Sequence, residues 1–524
     1  MVVETQEERP SPSLQSGIVR AATIILLGNI LSRVVGFARD VAIATIFGAG
    51  GQVSGYLTAL KVQTSVYDLL ISGVISAAFI PVFTNLADRR QEFGRVASSV
   101  LTATVAVMLV ATLLIEVFTV PLIALLAAGD SQVAHAAEPA LRLMAPAILF
   151  LGISGVLTAL LYSKQRFIYP AFTPVVFNAA IVLAALTLHA PLGVKALVVG
   201  VLAGAVGQVL LQFKGLTGVR LRIRFDRRDP QVRQIGKLYL PVALGLIVTQ
   251  AQVFLDLALQ NGTGPHSVTW LNTATRIYQL PLGFVATAIS LASLPTLSAL
   301  AQLDRRAFRE TLTRGLKVVA LLIVPAVVLL AVLSTPIVTL AFRHGKYSAY
   351  DVSSTVEGMR YYLPGLGFAA IDQLLIIAFY ANKDSRTPVL VGLLSIGGYG
   401  LAAAISLHWL GLGYRGLALA DSVKQIVHAV VLFALLWRWQ GSLAGFGLGR
   451  TALKIAPAAL ASAAVCIVAM HLGQGITHGL RLALFVIVAC GAGSVTYFAV
   501  LAALRTEELA IVGNRLRAKL RRAA

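Results

Sequence analysis

The chain has 524 residues, of which 57% are hydrophobic and only 12% charged. Soluble domains run nearer half apolar and a quarter charged, so a string of two or three such domains is excluded. The formal net charge of +21 raises nucleic acid as a partner, but a nucleic-acid binder gathers its charge on one folded face, whereas here it is spread between apolar blocks.

Residues 1–16, MVVETQEERPSPSLQS, are polar and acidic, unlike the basic start of a signal peptide, and predict a disordered cytoplasmic tail. Beyond them the apolar blocks predict an all-α integral membrane protein of about fourteen helices. These lie near 18–39, 52–85, 97–128, 139–163, 169–190, 194–213, 235–259, 267–302, 316–341, 352–381, 387–409, 413–437, 451–472 and 480–504. A helical crossing takes about 20 apolar residues, and Val100–Ile115, Ala196–Leu211 and Leu482–Ala503 meet or approach that with no charge inside. The longest segments predict tilt, a break or extension past the bilayer.

Basic residues fall in every second connection. Arg89, Arg90 and Arg95 follow the second span, Lys164 and Arg166 the fourth, and eight lysines and arginines lie between Lys214 and Lys237. Arg305, Arg306, Arg309, Arg314 and Lys317 follow the eighth span, Lys383 and Arg386 the tenth, Arg438, Arg450 and Lys454 the twelfth, and a basic tail the last. The intervening connections carry few. This alternation predicts a multi-pass protein of the cytoplasmic (inner) membrane with both termini in the cytoplasm. Cys466 and Cys490 fall inside the last two spans and read as buried thiols packed as small apolar groups.

The sequence also repeats. ISAAFIPVFTNLADRRQEFGR (75–95) matches ISLASLPTLSALAQLDRRAFR (289–309), and LLYSKQRFIYP (160–170) matches AFYANKDSRTP (378–388), an offset of 214 to 218 residues. That offset is six spans, an even number, so the copies share one orientation and form a parallel repeat. The predicted organisation is an N-lobe at 17–213, a basic linker at 214–237, a C-lobe at 238–440, an appended helix pair at 441–504 and a basic tail at 505–524. Two lobes of this kind predict a central cavity and alternating access.

Charges at membrane depth are costly, about 2.5–3.5 kcal/mol each on insertion scales, and normally face protein or water. Arg33, Arg39 and Asp40 lie in span 1, Lys61 and Asp68 in span 2, Arg142 in span 4, Asp256 in span 7 and Arg276 in span 8. Arg360, Asp372, Asp421 and Lys424 follow in spans 10 and 12. Arg33 and Asp40 share a helix face if Gly36 does not break the helix. Arginine grips phosphate with two parallel bonds and lysine acts as a point charge, so Arg33, Arg39, Lys61 and Arg276 are candidate ligands for a pyrophosphate or other polyanion. Arg39 beside Asp40 reads equally as an interfacial ion pair, Arg142 as a residue snorkelling from a helix start, and Arg360 stays open.

SRVVGFARDVAIATIFGAG (32–50), RFIYPAFTPVVFN (166–178), FRHGKYSAYD (342–351) and FYANKDSRTPV (379–389) resemble, in order, segments of the MviN/MurJ family. These are the lipid II flippases of the multidrug/oligosaccharidyl-lipid/polysaccharide exporter superfamily. The resemblance covers most of spans 1–12 and weakens in the last two. It implies two six-helix lobes and a C-terminal pair grooved for a polyprenyl tail. It also implies flipping of an undecaprenyl-pyrophosphate-linked peptidoglycan precursor to the periplasmic leaflet. On matching positions it carries the family's cavity arginines onto Arg33, Arg39 and Arg276, and a basic position onto Lys61. Span 2 departs from the pattern. SVYDLLISG puts Tyr67 and Asp68 where relatives have arginine, and Ser54 takes an acidic position; Asp68 is expected to pair with Lys61.

No phosphate-binding loop signature of an ATPase occurs, so the coupling candidates are membrane potential or a sodium ion. Asp256 sits where the resemblance implies a span-7 sodium ligand, although span 11 has no acidic residue, and it reads alternatively as a buried partner for a cavity arginine. The eight histidines are scattered and no D-x-D occurs, which argues against an enzyme and against a metal site. The competing readings are an exporter of another lipid-linked oligosaccharide and a transport-dead scaffold among cell-wall synthesis proteins.

Overall fold

The computed structural model describes residues 12–219, 221–224, 226, 229–441, 444–506 and 509. Residues 1–11 of the expected tail and most of the 505–524 tail lie outside the described residues, as do Arg220, Arg227 and Arg228 of the expected linker. The described residues form helices and no strand. They are α1 (Pro12–Phe47), α2 (Gly51–Asn85), α3 (Arg90–Ala127), α4 (Ser131–Ser163), α5 (Ile168–Leu192), α6 (Lys195–Phe213) and α7 (Pro230–Gly262). There follow α8 (Ser267–Leu303), α9 (Arg305–Phe342), α10 (Ala349–Ala381), α11 (Arg386–Trp409), α12 (Tyr414–Gln440), α13 (Leu448–Leu472) and α14 (Gly479–Ala503). Thirteen of them, α2 to α14, are long and apolar enough to cross a membrane. Residues 12–16, expected in the tail, belong to α1, and Gly36 does not interrupt that helix.

Local chemistry sets the helix starts. Asp130, Asp229 and Asp304 accept backbone N–H groups at the heads of α4, α7 and α9, and Ser348 with Asp351 forms a reciprocal box at the head of α10. Prolines such as Pro121, Pro146 and Pro325 sit inside helices, as membrane helices tolerate.

The chain divides into two compact units, Met1–Val268 and Thr269–Ala524. In the first, α1 packs on α5, α2 and α3 on α4, α4 on α6, and α5 on α6. The second contains α8 and α9 on α10, α10 on α12, and α11 on α12. Adding six to each helix number converts most of the first set into the second, so the repeat in sequence is a repeat of packing. The exception is α7, which lies with the first unit against α2 and α3 and has only 6% of its most apolar stretch buried. The division between the two units falls inside the first turn of α8. Within the second unit, α13 and α14 pair with each other and pack on α9.

The two repeat-related helices share a further irregularity. In α2 the helix widens into π turns at Asp68–Ser72 and Ile75–Phe79, and α8 widens at Leu282–Thr287. Asp68 and Leu282 are 214 residues apart, the spacing of the repeated segments. Gly73, Pro81, Pro281 and Gly283 weaken the helical ladder around these turns, and π turns concentrate at functional places in helices.

Close approach of helices rests on small residues. A Cβ at Gly28 would stand 2.4 Å from the Ala171 carbonyl oxygen on α5, and one at Gly493 would stand 2.5 Å from Cys466 Sγ. Cys466 is buried, Cys490 half-buried, and both are free thiols.

Candidate functional site

On α1 the structure joins Arg39 to its neighbour and to a second helix. Its Nε and Nη2 donate to Asp40 Oδ1 at 3.0 and 2.7 Å, and Nη1 donates to Asn178 Oδ1 on α5 at 2.9 Å. Both members of the pair keep about a tenth of their side-chain exposure (11% and 10%). Asn178 closes the segment 166–178 that the sequence marks, but nothing in its spacing from Arg39 signals the bond. Arg33, six residues earlier, is exposed.

Lys61 on α2 is exposed and Asp68 half-buried. No ion pair within 4 Å joins Lys61 to Asp68, and the attraction between them acts over a longer distance. Seven residues carry the two Cα atoms about 10 Å apart along the axis, and Asp68 opens the first π turn. Inside that turn the Tyr239 hydroxyl on α7 donates to the Leu69 carbonyl. Farther along α7, Asp256 Oδ2 accepts from Gln260 Nε2 at 2.7 Å. Asn261 Nδ2 donates to Thr58 Oγ1 on α2 at 3.1 Å and to the Leu126 carbonyl on α3 at 2.9 Å. Around Asp256 the described residues hold no cluster of three His, Cys, Asp or Glu side chains suited to a metal ion. Arg142 is held at 3.3 Å by Glu138 and at 3.8 Å by Glu116, all three in partly exposed positions.

In the second unit Arg276 is exposed on α8, less than two turns ahead of the π turn. Beside it in sequence, Tyr278 stacks on Tyr362 of α10 with ring centroids 5.4 Å apart. Arg360 donates from Nε to Ser334 Oγ at 3.3 Å. Asp372 on α10 meets His428 on α12 at 2.7 Å, a pair of which the sequence showed only one scattered histidine and one carboxylate. Asp421 and Lys424 pair at 2.5 Å on the same helix as His428.

The second unit also carries a cleft of about 580 Å³ between α9, α10, α12 and α13. Its walls include Val324, Phe368, Phe433, Ile455 and Ala459, and its one charged lining residue is Lys317. An apolar slot with a cation on its wall suits a hydrocarbon chain bearing an anionic end.

These features can be set beside known proteins. The family model described as "Lipid II flippase MurJ" matches residues 43–486. A "Lipid II flippase MurJ" of Burkholderia cenocepacia is 28% identical over 434 residues, 79% of this chain and 83% of that protein. A "Probable lipid II flippase MurJ" of Haemophilus influenzae is 29% identical over 437 residues, 77% of this chain and 83% of that protein. Among solved structures, "Lipid II flippase MurJ, inward closed conformation" aligns with a TM-score of 0.76 at 23% identity, covering 93% of this chain and 99% of that one. An inward-facing MATE-family multidrug transporter aligns with a TM-score of 0.66 at 16% identity, covering 79% of this chain and 95% of that one.

Proposed function

Because this chain belongs to the lipid II flippase MurJ family, we propose that it carries lipid II from the cytoplasmic to the periplasmic leaflet by alternating access. The observation that carries this reading is the family match over 43–486 together with exposed cationic side chains on the helices of both repeats. Arg33, Lys61 and Arg276 are exposed side chains on largely apolar helices, and a wetted, anion-binding position offsets their insertion cost. We assign all three to the pyrophosphate. Arg39 spends three of its five N–H donors on Asp40 and Asn178; the remaining two make it a ligand that the pair holds in place.

The family is one of transporters, and the proposed process makes and breaks no covalent bond. An anion leaving the cytoplasm moves down an inside-negative potential, by about 2.3 kcal/mol per charge per 100 mV, so membrane potential contributes directly. Asp256 is the candidate should a sodium ion take part. The alternating basic connections support a bacterial cytoplasmic-membrane location with both termini inside, where cell-wall synthesis proteins would be the natural partners.

One observation favours a second reading. Asp68 puts a carboxyl where the resemblance implies arginine, which suits a load with a less anionic head, such as another lipid-linked oligosaccharide. The test is complementation of a strain depleted of its own flippase, with a direct leaflet assay of lipid II. Rescue by the chain, lost in Arg33→Ala and Arg276→Ala at equal expression, is expected. Full rescue by both variants sinks the ligand assignment, and no rescue by the well-expressed parent favours the other load.

A further inference from the structure

The pair Asp372–His428 lies inside the second unit and has no role in the load site assigned above. His428 Nδ1 is 2.7 Å from Asp372 Oδ1, and Nε2 is 3.3 Å from the Pro388 carbonyl oxygen at the head of α11. One imidazole thus touches acceptors on two helices. The side chains keep only 13% and 9% of their exposure, and a Cβ at Gly392 would pack 3.8 Å from Nε2.

The proton count of this arrangement is constrained. Both ring nitrogens face oxygen, and a carbonyl oxygen can only accept. Nε2 must therefore carry a proton to bond Pro388, and a second proton must lie between Nδ1 and Asp372. Whether that second proton sits on the ring or on the carboxyl, the pair holds two protons and is neutral. Removing one leaves a single ring proton and net charge −1. Either the Pro388 bond or the Asp372 bond is then lost, and a charge is left at membrane depth. From this we propose that Asp372–His428 is a proton-binding site whose loading and release are coupled to the position of α11 against α10 and α12. The proton, rather than sodium, is then the ion exchanged during the cycle.

The surrounding charges allow this. On α12, one face carries Asp421 and Lys424, paired at 2.5 Å. Lys424 also lies 5.8 Å from the ring of Tyr399 on α11. Asp384 and Arg386 stand at the head of α11. On α9, Lys317 lines the cleft that Ile371 also lines. The Ala288–Leu303 part of α8, which packs on α10, contributes no ionisable group. Asp421, Lys424 and His428 fall three and four residues apart, so they share a face and form a ladder about 10 Å long.

The inference rests on the transporter reading but not on the chemistry of the load. Its test uses the full-length protein in two measurements. The first is hydrogen exchange of the 386–392 backbone, corrected for intrinsic rate, across a pH series without substrate. The parent should lose protection at the head of α11 as pH rises, and Asp372→Asn, which keeps side-chain size, and His428→Gln, which nearly does, should lose that pH response. The second is lipid II flipping in proteoliposomes under an imposed pH gradient, an imposed sodium gradient or a potassium-diffusion potential. The pH gradient should accelerate the parent and leave both variants unchanged, while all three proteins still respond to the potential. Acceleration by sodium alone, a pH response retained in both variants, or a parent whose exchange ignores pH overturns the proposal. Absence of flipping under every gradient, with the pH-dependent exchange intact, refutes the lipid II reading and leaves the proton site standing.

Discussion

Arg39 is fixed by structure before any role as a proposed ligand. Its guanidinium is nine-tenths buried against Asp40 and tied to Asn178, so it joins α1 to α5 whether or not a ligand is bound. Removing one member of a buried pair strands the other, which costs about 3–5 kcal/mol, whereas removing both is far milder. Arg39→Ala is therefore expected to lower the melting temperature of the purified protein sharply, with Arg39→Ala/Asp40→Ala recovering much of the loss. Equal melting of the single variant and the parent would show that the pair is not maintained in the membrane. Arg33 gives the opposite expectation. Its exposed side chain predicts unchanged melting in Arg33→Lys but weaker binding of a pyrophosphate lipid, because lysine cannot supply two parallel bonds.

At the scale of elements, two connections show chemistry placed at helix heads outside the membrane. Asp304 accepts the N–H groups of Ala307 and Arg306, which hold its carboxyl below the ordinary carboxylate range. The Thr387 hydroxyl and backbone N–H, with that of Arg386, do the same for Asp384 ahead of α11. A depressed carboxylate contributes stability above its unfolded pKa of about 4 and loses it as pH falls through the lower folded value. The first turns of α9 and α11 should accordingly fray in acid before the rest of those helices. Hydrogen exchange that stays flat through that range in the parent, or fraying unaltered in Asp304→Asn, would contradict this. The π turn of α2 supplies another test. Tyr239→Phe removes the hydroxyl that reaches Leu69 and should cost about 1 kcal/mol, seen as faster exchange in α7, which is already little buried.

Over the whole molecule, the repeat is the organising fact. It was legible as Asp-Arg-Arg and proline at matching positions, and it reappears as matching helix contacts and as π turns at the same offset. Straightening one copy should therefore disturb what the other is built to do. Deleting one residue within Asp68–Ser72 removes the extra residue of the wide turn and lets α2 close as a regular helix between Lys61 and its C-terminal half. The expected outcome is an expressed, folded protein that fails to rescue a flippase-depleted strain; full rescue would show that the wide turn is dispensable.

Class, helix number and repeat were decided by the residues taken in order, because hydropathy over about 20 residues is a local sum that no partner need complete. So was family, through motifs such as SRVVGFARDVAIATIFGAG whose order along the chain is itself the evidence. The partners of buried polar groups were not decided that way. Arg39 finds Asn178 across 139 residues and His428 finds Asp372 across 56, while Lys61 and Asp68, only seven apart, form no ion pair within 4 Å. A polar group in hydrocarbon must find some partner, but packing alone selects which one, so the ion pairs and the proton site became visible only once the helices were assembled.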